Sequence, residues 1–192
     1  MIREADDFFM GESKIHKTLS QLARTLGELG IDFALAGGLA VGARGHLRVT
    51  EDIGILIADE GLRRFKDAWL GRGYSEKFAG SIGVKDTETG VPIDFLLAGR
   101  YPGDGRPKAI SFPDPASIPK GDSRYRILDL RSLLELKLAS GSSAPDRPID
   151  LADVIALIRA NQLSLDYADR LDASVREKFA EMWRAAQSAT ES

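Results

Sequence analysis

The residues whose types could perform chemistry are two aspartates beside apolar runs. Asp52 directly precedes the β-branched run 53–57, and Asp94 lies between Ile93 and Phe95 in a second apolar run. A lone carboxylate in such a place is usually solvent-facing, because burying it without a partner costs free energy. If the two strands are neighbours, however, both carboxylates converge, and like charges that close need a cation. Since oxygen-only ligation suits magnesium, Asp52 and Asp94 are candidate Mg²⁺ ligands.

A glycine pair, Gly37 and Gly38, follows the apolar run 33–36. Glycines placed after a strand let the backbone approach a ligand closely and can offer free N–H groups to a phosphate. The chain contains 19 glycines, so the pair by itself is equally compatible with a simple turn.

The ordered motifs resemble the nucleotidyltransferase superfamily, and within it the minimal and AbiEii-type branch. In that branch a glycine pair precedes an Arg-x-Thr-x-Asp-hydrophobic-Asp segment, which is similar to Arg48 to Gly54 here. The resemblance extends over roughly residues 31–160, with later matches at a strand carboxylate, a helical lysine and an acidic helix start. These later matches are Asp94, Lys137, and Asp150 with Asp153.

The resemblance implies transfer of a nucleotidyl group. Two Mg²⁺ ions would lie between three carboxylates and a nucleoside triphosphate, an acceptor hydroxyl would attack the α-phosphorus, and pyrophosphate would leave. By the same resemblance, Gly37 and Gly38 would cradle phosphate, and Arg48 and Thr50 would shape the phosphate side of the loop.

The resemblance also gives roles to the helical part of the chain. Lys137 would contact the triphosphate as a point charge, and Asp150 or Asp153 would position or deprotonate the acceptor. Each has a plainer alternative, because a lysine after a leucine-rich helical run often snorkels to the surface and acids are favoured at helix starts.

Gly54 departs from the motif, because it occupies the position of the second aspartate. In a strand, positions 52 and 54 project to the same face about 6.6 Å apart, so aspartates there could bridge two metals. Glu51 points to the opposite face, and Asp59 and Glu60 lie beyond the strand. Three hypotheses follow: an active transferase with one magnesium carried in by the nucleotide, a degenerate protein binding nucleotide or RNA without chemistry, and a protein-interaction module of the toxin–antitoxin type.

The helices and strands expected from the sequence, which must position these residues, indicate an α+β fold with a mixed sheet flanked by helices. We expect a core at residues 1–125 and a helical C-terminal part at 126–192 packed on it. Apolar spacing and turn residues predict the individual elements. The helices fall within 15–29, 39–43, 62–71, 130–138, 149–158, 167–171 and 175–186, and the strands within 33–36, 53–57, 81–85, 91–97 and 109–112.

Composition narrows the function classes. The 192 residues carry a net charge of −3, which argues against a surface for non-specific nucleic-acid binding. The absence of cysteine excludes disulfides and thiol chemistry. Residues 1–7 lack a signal-peptide core and no run of about 18 apolar residues exists, so we expect a cytoplasmic protein without a membrane span. Its expected partners are a nucleoside triphosphate, an acceptor that can be tRNA, protein or small molecule, and in the third hypothesis a partner protein.

Overall fold

The computed structural model describes residues 14–144 and 146–188, which form two compact units interleaved along the chain. The first unit contains residues 14–43, 48–98 and 113–128, and the second contains 44–47, 99–112, 129–144 and 146–188. The predicted boundary at residue 125 and the docking of the helical part on the core stay predictions. The segment 1–7, where the sequence lacks a signal-peptide core, lies outside the described residues.

The first unit alternates helices with short strands. Helix α1 buries Leu19, Leu22 and Leu26, whose spacing of three and four residues places them on one helical face. Gly30 follows it with a positive φ of 61°. The elements are α1 (Lys14–Glu28), β1 (Phe33–Ala36), α2 (Gly37–Ala43), β2 (Ile53–Ile57), α3 (Asp59–Trp69), β3 (Tyr74–Glu76), β4 (Val84–Asp86), β5 (Pro92–Leu97) and a 3-10 turn (Pro115–Ser117).

The strands form a mixed sheet, and the protein therefore has the predicted α+β fold. Within the described residues the strand order is β1-β2-β5-β4-β3. Only β2 and β5 pair in parallel; the other neighbours are antiparallel. A short segment, residues 126–128, lies along the outer edge of β1. Leu35 N–H donates to the carbonyl of Arg126 at 2.8 Å, and Leu128 N–H donates to the carbonyl of Leu35 at 3.1 Å.

The sheet register decides which side chains share a face. Gly54 on β2 is paired with Ala36 on β1 and with Asp94 on β5. On β5, Ile93 and Phe95 are buried in the core while Asp94 between them is half-buried. Asp94 and position 54 therefore project to the same, non-core face of the sheet.

The second unit is helical, and its described elements are α4 (Leu130–Ser143), α5 (Pro148–Ala160), 3-10 turns at Leu165–Arg170 and Ala173–Val175, and α6 (Arg176–Ser188). Asp129 caps α4, because its carboxylate accepts the Ser132 N–H at 3.0 Å. Helix α4 packs on α5, and α5 packs on α6, burying Leu134, Leu157 and Phe179.

Some predicted elements are corrected by the structure. The expected strand at 109–112 does not form, although Phe112 exchanges backbone hydrogen bonds with the chain at Gly99 and Arg100. Conversely, β3 was not predicted, because three residues are too few to display a period. No helix in the described part of the chain has the length and apolar character needed to cross a membrane.

Candidate functional site

The glycine pair forms the junction of β1 and α2. Gly37 has a φ of 57°, a conformation that residues with side chains rarely adopt. At Gly38 a Cβ would lie 2.8 Å from Thr50 Oγ1 and 3.3 Å from Arg48 Nη2. A side chain at position 38 would therefore displace Thr50, and the fold brings Gly38, Arg48 and Thr50 together.

Thr50 links the glycine pair to the first carboxylate. Its hydroxyl donates to Asp52 Oδ1 at 2.9 Å, and Asp52 is itself half-buried at the entry to β2. This hydrogen bond fixes the Asp52 carboxylate on the side of the loop that carries Gly38.

The second carboxylate, Asp94, has a cationic partner that the sequence did not reveal. Lys77 Nζ forms an ion pair with Asp94 Oδ1, and the Asp94 side chain remains 47% exposed. A Cβ at Gly83 would lie 2.9 Å from the same oxygen and 2.8 Å from the carbonyl of Ile93. The loop carrying Lys77 and Gly83 therefore closes over one side of Asp94.

Asp52 directly precedes β2, and Asp94 lies on the neighbouring parallel strand β5. Ile53, which follows Asp52, is in register with Ile93, which precedes Asp94. The two carboxylates therefore belong to the same end of the paired strands β2 and β5.

Gly54 lies between these carboxylates and closely against β1. A Cβ at position 54 would lie 3.1 Å from the carbonyl carbon and oxygen of Ala36 and 3.2 Å from the amide nitrogen of Gly37. These are backbone atoms, so a side chain at position 54 requires the junction of β1 and α2 to move. Gly54 therefore supplies no side-chain oxygen at this position and also allows the glycine pair to pack against β2.

A resident pair of magnesium ions does not fit these residues. Position 54 supplies no oxygen, and Asp94 is already neutralised by Lys77. No group of three or more His, Cys, Asp or Glu side chains within residues 14–144 and 146–188 is arranged to hold a metal ion.

The loop between β3 and β4, residues 77–83, is anchored by polar contacts. Lys66 on α3 forms a salt bridge with Glu76 at 3.2 Å and donates to the carbonyl of Ser81. The Gly80 N–H and Lys66 lower the pKa of Glu76, so it stays ionised at neutral pH. The anchored loop presents Phe78, 71% exposed, and Ile82, 50% exposed, beside Asp94.

The helical residues named by the resemblance form a buried ionic cluster in the second unit. Lys137 Nζ lies 2.8 Å from Asp150 Oδ1 and 2.8 Å from Asp153 Oδ2. The Ser140 hydroxyl donates to Asp150 Oδ2 at 2.6 Å. Since Lys137 is only 7% exposed, the alternative of a snorkelling surface lysine is wrong. The lysine holds α4 against the first turns of α5.

Sequence patterns missed Lys77 and Gly83. Lys77 stands in an ordinary charged stretch, and its partner Asp94 is 17 residues away. Gly83 is one of many glycines, and its close approach to Asp94 follows from the hairpin of β4 and β5. Neither position carries a local signal, because both depend on how distant strands pair.

Comparison with known proteins supports the fold. No protein-family model and no curated protein matches the sequence. Among solved structures, the chain is similar to the crystal structure of ANT(2'')-Ia, an aminoglycoside nucleotidyltransferase, in complex with adenylyl-2''-tobramycin. The TM-score is 0.52 at 13% identity, covering 88% of this chain and 96% of that one. A solution structure of the antibiotic-resistance factor ANT(2'')-Ia matches with a TM-score of 0.48 at 16% identity, covering 91% and 96%. The first of these structures thus shows that the chain shares the fold of ANT(2'')-Ia.

Proposed function

We propose that this chain binds a nucleoside triphosphate as its magnesium complex and transfers the nucleotidyl group to a hydroxyl of a small acceptor. One observation carries the proposal. The glycine pair, with Arg48 and Thr50 packed on Gly38, lies at the same sheet edge as Asp52 and Asp94.

Each group in this proposed site has a task that its chemistry suits. The backbone of Gly37 and Gly38 approaches the phosphates closely, and Arg48 supplies positive charge on that side. Asp52 and Asp94 receive the magnesium that enters with the triphosphate, because Mg²⁺ often binds through one or two carboxylates and substrate phosphates. In this proposal the metal is part of the substrate.

The proposed reaction exchanges one phosphoester bond for another. The acceptor oxygen forms a bond to the α-phosphorus, the bond from that phosphorus to the bridging oxygen breaks, and pyrophosphate leaves with the electron pair. The hydroxyl proton passes to solvent. The roles of Lys137 with the triphosphate and of Asp150 with the acceptor stay predictions.

The acceptor we favour is a small neutral or cationic molecule. ANT(2'')-Ia holds an adenylylated tobramycin on a similar fold. The net charge of −3 on this chain opposes tRNA as acceptor, since nucleic-acid binding depends on neutralising phosphates with cationic side chains.

The experiment combines binding with transfer. Calorimetry with each of the four nucleoside triphosphates and magnesium measures binding, and α-labelled triphosphates with a panel of aminoglycosides measure transfer. We expect label on an acceptor, and loss of that label in Asp52→Asn. Asp59→Asn, on the exposed first turn of α3, is the matched control and should keep activity. Absence of binding at millimolar nucleotide would refute the proposal. Transfer by the Asp52→Asn variant would show that Asp52 is not needed in the site.

A second candidate function is nucleotide binding or protein interaction without transfer, as in a toxin–antitoxin-type module. Two observations favour it. Lys77 forms an ion pair with Asp94, a carboxylate that the transfer proposal assigns to magnesium. In addition, Val49, Phe78 and Ile82 are exposed on loops beside Asp52 and Asp94. Binding of magnesium nucleotide with no transfer to any acceptor would favour this candidate. Coexpression with the product of a small neighbouring gene, followed by size-exclusion chromatography, tests for the partner. Phe78→Ser should then weaken the complex.

A further inference from the structure

The first unit contains a cationic cleft that the proposed transfer reaction does not use. Its volume is about 510 Å³, which lies within the size range of small-molecule sites. The cleft is built by α1, the start of β1 and the segment leading to residue 126. Its lining combines four cations and one carboxylate with apolar and aromatic groups: Arg24, Lys120, Arg124, Arg126, Asp32, Ile31, Phe33 and Tyr125.

The positive charge of the cleft is only partly compensated. Arg126 is held by Asp32 at 3.4 Å and by the carbonyl of Ile118 at 2.6 Å. Lys120 and Arg124 have no carboxylate partner within the described part of the chain, and Arg124 instead lies over the Tyr125 ring at 5.3 Å. A concentration of cations on a chain with a net charge of −3 indicates an anionic ligand.

Aromatic side chains contribute to the cleft. Tyr125, which is 7% exposed, lines it, and Arg124 lies over the Tyr125 ring. The neighbouring Phe33 ring, 6.2 Å from that of Tyr125, adds an aromatic wall.

We propose that this cleft binds a small organic phosphate that carries a planar ring, at a site separate from the glycine pair. Lys120 and Arg124 contact the phosphates, and the ring of the ligand packs against Phe33. The separation follows from β1: Phe33 begins the strand and Gly37 follows its end, which sets their Cα atoms about 13 Å apart for an extended chain.

Metal dependence separates the two sites experimentally. The cleft recognises phosphate through cationic side chains, so it binds ATP in the presence of EDTA, whereas Asp52 and Asp94 need magnesium between them and the nucleotide. Calorimetry with ATP as probe in EDTA should therefore give saturable binding that Asp52→Asn leaves unchanged. Failure of the transfer proposal leaves this result intact.

The variants test the assigned residues. Lys120→Ala with Arg124→Ala should weaken ATP binding in EDTA roughly tenfold or more, because hydrogen bonds to charged groups are among the strongest. Both side chains are exposed, so the fold is retained. Arg63→Ala with Arg72→Ala removes the same charge elsewhere on the first unit and should change little.

Four results would overturn the inference. The first is no saturable binding of ATP at millimolar concentration in EDTA, and the second is equal ATP affinities for the Lys120/Arg124 variant and its charge-matched control. The third is binding of tripolyphosphate as tight as that of ATP, and the fourth is tighter binding of a single-stranded RNA oligonucleotide than of ATP through these residues. The third result removes the ring contact, and the fourth identifies a nucleic-acid surface instead.

Discussion

Replacing Gly54 by alanine tests the close approach of β1 to β2. The new methyl group would meet Ala36 and Gly37 backbone atoms at 3.1–3.2 Å, shorter than the usual 3.5–4.0 Å between carbon atoms. Overpacking of this kind costs about 1–3 kcal/mol. Gly54 does not have a positive φ, so alanine can adopt its backbone conformation. Alanine also restricts the unfolded chain, which stabilises the folded protein by about 0.4–1 kcal/mol. We therefore expect the free energy of unfolding to fall by about 0.5–2 kcal/mol.

The assay is urea denaturation followed by tryptophan fluorescence. The chain has two tryptophans, so a Trp183→Phe background leaves Trp69, on α3 of the first unit, as the reporter. Gly27→Ala is the matched control, because a Cβ at that position of α1 meets nothing within 4 Å. Alanine there should stabilise the helix by about 0.5–1 kcal/mol. If Gly54→Ala stabilises the protein as Gly27→Ala does, the strand junction is not tightly packed.

Further predictions concern charges. Lys137→Ala leaves two buried carboxylates without their cation and should lower the free energy of unfolding by about 3–5 kcal/mol in urea denaturation; a loss typical of a surface lysine would contradict the cluster. Lys77→Met frees Asp94 and should tighten magnesium-dependent nucleotide binding in calorimetry, whereas weaker binding would instead assign Lys77 to the phosphates. Burial opposes ionisation of Asp129, but hydrogen bonds from the α4 N-terminus outweigh it and lower its pKa. A carboxyl whose pKa is lower in the folded than in the unfolded protein stabilises the fold at pH values above its unfolded pKa. Asp129→Ala should therefore lower the free energy of unfolding by about 1 kcal/mol at neutral pH, and this loss should shrink as the pH falls below about 4. A pH-independent loss would contradict this. Gly54→Asp should bind magnesium nucleotide more tightly than Gly54→Ala while lowering thermal stability relative to the native chain, and equal affinities of the two variants would contradict the shared face with Asp94.

The elements that carry the site were predictable from local patterns. The apolar runs at β1 and β2 have the predicted bounds, and Pro92 begins β5 because a proline cannot donate to the centre of a sheet. The convergence of Gly38, Arg48 and Thr50 followed from the resemblance, and the structure brings these residues together.

The remaining features depend on pairing between distant segments. No local pattern says that Lys77 meets Asp94, because that contact requires β4 and β5 to form a hairpin and β5 to join β2. The burial of Lys137 was equally hidden, since a lysine in a leucine-rich helix has the same sequence whether it faces solvent or two aspartates. Residues 109–112 have an apolar pattern but lack a partner strand, so no strand forms.

Gly54 affects both the stability of the fold and the proposed binding of nucleotide. The residue that supplies no carboxylate beside Asp94 is also the residue that lets the backbone at Gly37 pack against β2. A side chain at position 54 therefore displaces the glycine pair that would hold the phosphates, even as an aspartate there adds an oxygen ligand. These effects oppose each other in Gly54→Asp and only the steric one acts in Gly54→Ala. The difference in magnesium-dependent affinity between the two variants consequently measures the carboxylate alone, whereas label transfer separates a transferase site from a site that only binds.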